Sequence, residues 1–255
     1  MIRVRALSHA YDRAPILQAV DLEVSPGEVT ALVGPNGSGK STLLRCAAGV
    51  LRPSRGRVTL AGRPIGRWSP VARARLLAYL PQHVAPAFPV TARQMVAWGR
   101  HPYRPGWAAR DSHGATVVAA CLRRMAIEPL AERLFATLSG GEARRCLIAS
   151  CLAQEPRYLL LDEPTGDLDP PHGRALFRLL RELAADGLAI LVVTHDLNLA
   201  ALFADRIVLL AGGRILAAGA PDRVLQAPLL TAAYGEGLVV GDHPTVHRPT
   251  VLALP

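Results

Sequence analysis

Gly34, Pro35, Asn36, Gly37, Ser38, Gly39, Lys40, Ser41 and Thr42 follow one another in a stretch that holds the chain's single lysine. The other 28 of its 29 basic residues are arginine. A glycine, four residues and then Gly-Lys-Ser is the spacing of a phosphate-binding loop, provided that a strand leads in and a helix leads out. The flanks comply. "EVTALVG" before it is a short apolar run, and "KSTLLRCAAGVL" after it places Leu43, Leu44, Ala47 and Ala48 at helical spacing. Glycines let such a loop curl so that successive N–H groups point inward at phosphate oxygens. The helix beginning near Lys40 adds its positive end. A ring of amides leaves a narrow space, which suits the compact ammonium of lysine; the planar fork of arginine would force it open. Ser41 then offers a hydroxyl to Mg²⁺. The bland alternative is a glycine-rich turn that spells the pattern without using it.

Acidic chemistry is available at "YLLLDEP", which places Asp162 and Glu163 at the carboxyl end of an apolar strand, where parallel α/β sheets bind ligands. Asp162 is placed to hold Mg²⁺, and Glu163 to orient or deprotonate an attacking water. An acidic pair can also simply cap the next helix. His195 ends a second strand-like run, "LAILVVTHD", on the same predicted edge, and is a candidate contact to a terminal phosphate. Gln82 ends a third, "RLLAYLPQ"; its amide could ligate Mg²⁺ or hold water. "LSGGE", with Ser139, Gly140, Gly141 and Glu142, opens another helix. Its exposed amides are a second anion site, or else an ordinary capping box of Ser139 and Glu142. One nucleotide does not need two phosphate cradles on one subunit.

The elements that must position these residues alternate. Strand-like "IRVRAL" and "ILQAVDLEV" open the chain, and "GRVTLAG" follows the phosphate loop and its helix. From about residue 85 to residue 153 the texture changes: prolines come first, then helical "TARQMVAWG", "ATVVAACLRRMAI" and "GGEARRCLIASCLA". Strand, helix ("GRALFRLLRELAAD") and strand then resume, and the chain finishes with "DRIVLL", "GRILAAG", two short helices and a β-like tail from about 236 to 255. The alternation predicts a parallel sheet covered on both faces.

At 255 residues, half of them apolar and only 5% aromatic, the chain has an ordinary soluble α/β composition with enough length for a substantial core. No apolar run reaches the roughly 18–20 residues that span a bilayer, and the N-terminus has no apolar core for a signal peptide. Cytoplasmic residence is expected unless a partner carries the chain to a membrane. Cys46, Cys121, Cys146 and Cys151 have no CxxC or metal spacing and read as reduced, packed thiols. The net charge of +9 suits an anionic partner, but the arginines are scattered and no basic arm appears.

Taken together, these motifs resemble the nucleotide-binding subunit of ATP-binding cassette transporters. The phosphate loop, Gln82, "LSGGE", "LLLDEP", "GDLD" and "THD" occur in that family's order over nearly the whole chain. The resemblance implies a RecA-like P-loop NTPase core with a parallel sheet, an N-terminal antiparallel β subdomain and an inserted helical subdomain. It implies an ATPase using Mg²⁺, held by Ser41, Gln82 and Asp162. It makes Glu163, His195, Gln82 and Lys40 the catalytic set, Tyr11 the ring that stacks on adenine, and Asp169 part of the D-loop. It further implies a head-to-tail homodimer in which Ser139 to Glu142 of one chain close over the phosphate loop of the other. The two cradles then serve two shared nucleotides.

"FPVTARQMVAWGRHPY", "THDLNLAALFADRIVLL" and "GAPDRV" resemble ATPases of iron–siderophore, haem and cobalamin importers. That implies membrane permease subunits, an indirect substrate-binding protein, and a peripheral position on the cytoplasmic side of the inner membrane. Cassette ATPases that act on nucleic acid or ribosomes carry a coiled coil or two cassettes, which 255 residues do not accommodate; exporter ATPases share every catalytic residue. Ala143 and the Gly166-Asp167 pair depart from the family's usual residues. The resemblance implies that the stretch from about 85 to 114, with its prolines, tryptophans and arginines, flanks the groove that receives a permease helix, so that Arg100, Arg104 and Trp107 would serve docking, with packing of the tryptophans inside the helical subdomain as the alternative.

Overall fold

The computed structural model describes residues 1–12, 14–104, 111–166 and 168–254. Its first third holds β1 (Ile2–Tyr11), β2 (Ala14–Val24), β3 (Val29–Val33), α1 (Lys40–Ala47), β4 (Arg55–Leu60), β5 (Arg63–Pro64), α2 (Pro70–Ala74) and β6 (Leu77–Leu80). Three helices follow: α3 (Ala92–Trp98), α4 (Gly114–Arg124) and α5 (Gly140–Ala153). Strands then resume with β7 (Tyr158–Asp162), α6 (Pro170–Ala185), β8 (Ala189–Val193), α7 (Leu197–Phe203), β9 (Arg206–Ala211) and β10 (Arg214–Gly219). The chain ends with α8 (Pro221–Val224), α9 (Ala227–Tyr234), β11 (Leu238–Asp242) and β12 (Pro249–Ala253).

The central sheet has the order β10-β9-β3-β8-β7-β6, parallel except for the edge strand β10. Its strands are continuous apolar runs because both faces are covered. Val29, Ala31 and Val33 of β3 face a core shared with the helices, and so do Leu159 and Leu161 of β7. The intervening Leu32 and Leu160 face a second core with α1 and the antiparallel sheet β2-β1-β4-β5. Period-2 alternation thus sends each central strand into two cores at once. The expected α/β architecture, with its antiparallel β portion and its helices between β6 and β7, is present.

Two local expectations change. The helix after "GDLD" begins at Pro170, three residues before Gly173, because Asp169 caps it by accepting the His172 N–H at 3.1 Å and prolines occupy its first positions. Arg100 is not a docking residue. It is 2% exposed, bonding Asp111 at 2.7 Å, Glu155 at 2.5 Å and the Ala153 carbonyl at 2.9 Å, with its guanidinium over the Tyr103 ring. A cation this deep requires such partners, and the set ties the end of α3 to the end of α5. Arg104 is exposed, Trp98 stands half-exposed edge-on to Phe88, and Trp107 lies outside the described residues.

All four cysteines are buried and free. Burial pushes the thiols of Cys46 and Cys121 up to about 11 and those of Cys146 and Cys151 up to about 12. They stay protonated and act as small apolar fillers.

Candidate functional site

The phosphate loop joins β3 to α1. Gly34 sits at φ 150°, where a Cβ would stand 1.9 Å from the Leu210 carbonyl oxygen of β9, so the loop's entry passes too close to the sheet for any side chain. Gly39, at φ 102°, precedes α1 in a conformation that L side chains rarely adopt. Lys40 is 5% exposed, and its ammonium donates to the carbonyls of Gly34 and Pro35, both at 2.9 Å. Desolvation lowers the Lys40 pKa, opposed by the charges of Glu163 and Asp162. Tyr11, Ile16, Asn36, Gly37, Gly39, Lys40, Ser41, Thr42 and Glu163 line one cleft. Tyr11, at the end of β1, is 44% exposed, leaving ring surface open to a flat partner.

The strand ends assemble as expected. Asp162, the last residue of β7, accepts the Ser41 hydroxyl at 3.0 Å. Burial raises its pKa, partly offset by that hydrogen bond. A serine hydroxyl beside a carboxylate is a hard-oxygen pair, which fits Mg²⁺. Among the described residues there is no group of three or more His, Cys, Asp or Glu that could hold a metal ion. Glu163 follows directly. Gln82, just past β6, donates its Nε2 to Glu163 Oε2 at 3.1 Å, and His195 Nδ1, just past β8, lies 3.7 Å from the same oxygen. Three neighbouring strands thus deliver Gln82, Glu163 and His195 to one carboxylate oxygen.

At the second cradle, Ser139 caps α5. Its Oγ accepts the Glu142 N–H at 3.4 Å, and Glu142 Oε2 accepts the Ser139 N–H at 2.8 Å. The capping box therefore forms, with Ser139 and Gly140 still exposed. These residues line no part of the phosphate-loop cleft. Asp169 serves as the cap of α6 and also pairs with the His172 ring; Asp167 lies outside the described residues.

A family model described as ABC transporter matches residues 17–166, more than half of the chain. The chain belongs to the ABC transporter family. The hemin import ATP-binding protein HmuV of Nocardia farcinica is 47% identical over 237 residues, covering 93% of this chain and 82% of that one. The protein of the same name from Pseudomonas fluorescens is 42% identical over 258 residues, covering 99% and 100%. Among solved structures, an inward-facing ABC transporter of metal-chelate type superposes with a TM-score of 0.87 at 26% identity, over 100% of this chain and 97% of that one. A dimeric cassette in a post-hydrolysis state with ADP and phosphate superposes at 0.75 and 28% identity, over 86% and 98%.

As an ABC ATPase, the chain hydrolyses ATP, in a family that uses Mg²⁺ with ATP, works as paired cassettes and partners with membrane permeases. No helix among the described residues is long and apolar enough to cross a membrane.

Three further contacts at or behind the site carry no motif. Ile16 joins the cleft from β2. Asn198, on α7, bonds both backbone groups of Val251. Arg144 reaches the Glu163 carbonyl at 2.7 Å. Only Arg144 left a trace in the sequence: positions 144, 147, 148 and 151 form one helical face that is otherwise apolar, and an arginine there must be buried with partners.

Proposed function

We propose that the chain is the ATP-hydrolysing subunit of a hemin importer, paired with a second copy beneath a membrane permease and served indirectly by a substrate-binding protein. The cargo reading is carried by likeness of 41–47% identity to hemin import ATP-binding proteins over 90–99% of this chain. Such a subunit sits peripherally on the cytoplasmic face. Residues 1–255 then form one nucleotide-binding domain, with the helical insertion at about 85–153 and a tail at about 236–255.

In this reading the loop amides from Gly34 to Thr42 and the Lys40 ammonium cradle the ATP phosphates, and Tyr11 stacks on the base. Ser41, Asp162 and Gln82 hold Mg²⁺, which supplies charge neutralisation at the phosphates. Glu163 accepts a proton from the attacking water, while Gln82 and His195 fix the carboxylate and contact the terminal phosphate. Ser139 to Glu142 of the second chain complete the cradle from the opposite side, which accounts for two anion-binding surfaces on one subunit. Asp169 lies where the two chains meet.

The test is reconstitution in vesicles with the cognate permease and binding protein, offering hemin, a ferric siderophore and cobalamin in turn. Hemin-stimulated ATP hydrolysis with ATP-dependent hemin uptake is expected. Uptake of another cargo with no response to hemin would overturn the cargo assignment and leave the ATPase intact.

A further inference from the structure

We propose that Arg144 is a positioning residue for Glu163, through which the seating of the signature helix α5 sets the aim of the hydrolytic carboxylate. The inference rests on the reading of Glu163 as the group that accepts the water's proton.

Glu163 is held in an unusual way. Its φ is 44°, a left-handed conformation that a glutamate adopts only when its surroundings impose it. The Glu163 N–H donates to the Val193 carbonyl of β8 at 3.1 Å, and its C=O accepts the Gly166 N–H at 3.3 Å. The shortest bond to that carbonyl comes from outside the sheet: Arg144 Nη2 donates to it at 2.7 Å. The same nitrogen reaches the Gln82 carbonyl at 3.5 Å. Arg144 therefore touches the backbone of both residues whose side chains meet at Glu163 Oε2.

The chemistry explains why an arginine stands there. Arg144 is 8% exposed, on the face of α5 that also buries Leu147, Ile148 and Cys151. A buried guanidinium requires acceptors. The strands β6 and β7 are parallel neighbours, so the chain leaves both at the same sheet edge, and the carbonyls of Gln82 and Glu163 come within reach of one fork. Ser139, Gly140 and Gly141 begin the same helix. A displacement of α5 on engaging a nucleotide is thus passed, through one side chain, to the backbone turn that carries the carboxylate. Glu163 has φ and ψ as its only soft backbone dihedrals, so a pull on its carbonyl re-aims its side chain.

The experiment uses the full chain carrying Arg144→Met or Arg144→Gln, each alone and together with Glu163→Gln. Fluorescent ATP binding, steady-state hydrolysis and amide hydrogen exchange are measured on each. Arg144→Met is expected to lower kcat about ten-fold, the scale of one mispositioned hydrogen-bonded group, with ATP affinity within about two-fold of wild type. Arg144→Gln keeps a donor and is expected to recover part of the rate; it carries the comparison if the methionine variant does not fold. Exchange should accelerate at residues 163–166 while the phosphate loop is unchanged. In the Glu163→Gln background, Arg144→Met should cost nothing more. Unchanged kcat, an equal loss in both backgrounds, or protection lost evenly along the chain would each overturn the proposal. Wild-type hydrolysis by Glu163→Gln alone would instead refute the reading of Glu163.

Discussion

Lys40→Arg conserves charge and changes only shape, so it isolates the reason for the chain's single lysine. The ammonium of Lys40 lies 5% exposed, donating to two loop carbonyls at 2.9 Å. A guanidinium is longer and wider, and the loop cannot step aside: Gly34 approaches the Leu210 carbonyl so closely that even a Cβ does not fit. Overfilling a closed shell costs about 1–3 kcal/mol, or roughly 5- to 150-fold in binding. The loss should fall on nucleotide binding and on hydrolysis together, because the loop is distorted before any chemistry begins. Titration with a fluorescent ATP analogue and steady-state phosphate release measure the two effects separately. Affinity and rate both within about two-fold of wild type would refute the claim that compactness excludes arginine here.

Two further outcomes test the scaffold. Arg100→Met strands the Asp111 carboxylate, 7% exposed, and should destabilise the chain by about 3 kcal/mol in urea unfolding at neutral pH. The Arg100 hydrogen bond holds the Asp111 pKa below its ordinary value. Without Arg100 that hold is gone and desolvation favours the neutral carboxyl, so the deficit should be largest near neutral pH and shrink as acidification protonates the stranded Asp111. Asn198→Leu removes both hydrogen bonds that join α7 to β12, at 3.1 and 2.8 Å. It should lower stability by about 1–2 kcal/mol and speed exchange in the 238–253 hairpin.

The central strands were legible because each is a short, mainly apolar run, and the longer helices because their apolar residues recur at helical spacing; α2, which buries none of its residues, left no such pattern. The gathering of Asp162, Glu163, His195 and Gln82 at one sheet edge was legible for the same reason: all four stand where an apolar run stops. Arg100 was misread because a cation between prolines and tryptophans looks like surface, whereas its partners Asp111 and Glu155 lie 11 and 55 residues away. Such pairings are set by how α3 and α5 pack, which no local pattern records. Asn198 was hidden for a related reason. Its partner Val251 belongs to a hairpin whose docking site depends on the finished sheet. Asp169 carried one reading, that of a D-loop residue, and the structure adds its role as the cap of α6.

The most direct test of the shared-site account is the ATP-bound state of Glu163→Gln. Glutamine keeps the shape that meets Gln82 and His195 but cannot accept a proton, so hydrolysis should fall at least ~10²-fold with ATP binding retained. If Ser139 to Glu142 of one chain close over the phosphate loop of the other, trapped nucleotide should hold two chains together. Size-exclusion chromatography with light scattering, in ATP and Mg²⁺, should then report a dimer for Glu163→Gln, and a monomer once Ser139→Arg is added. A Glu163→Gln chain that stays monomeric at saturating ATP, or hydrolyses it at the wild-type rate, would contradict the account.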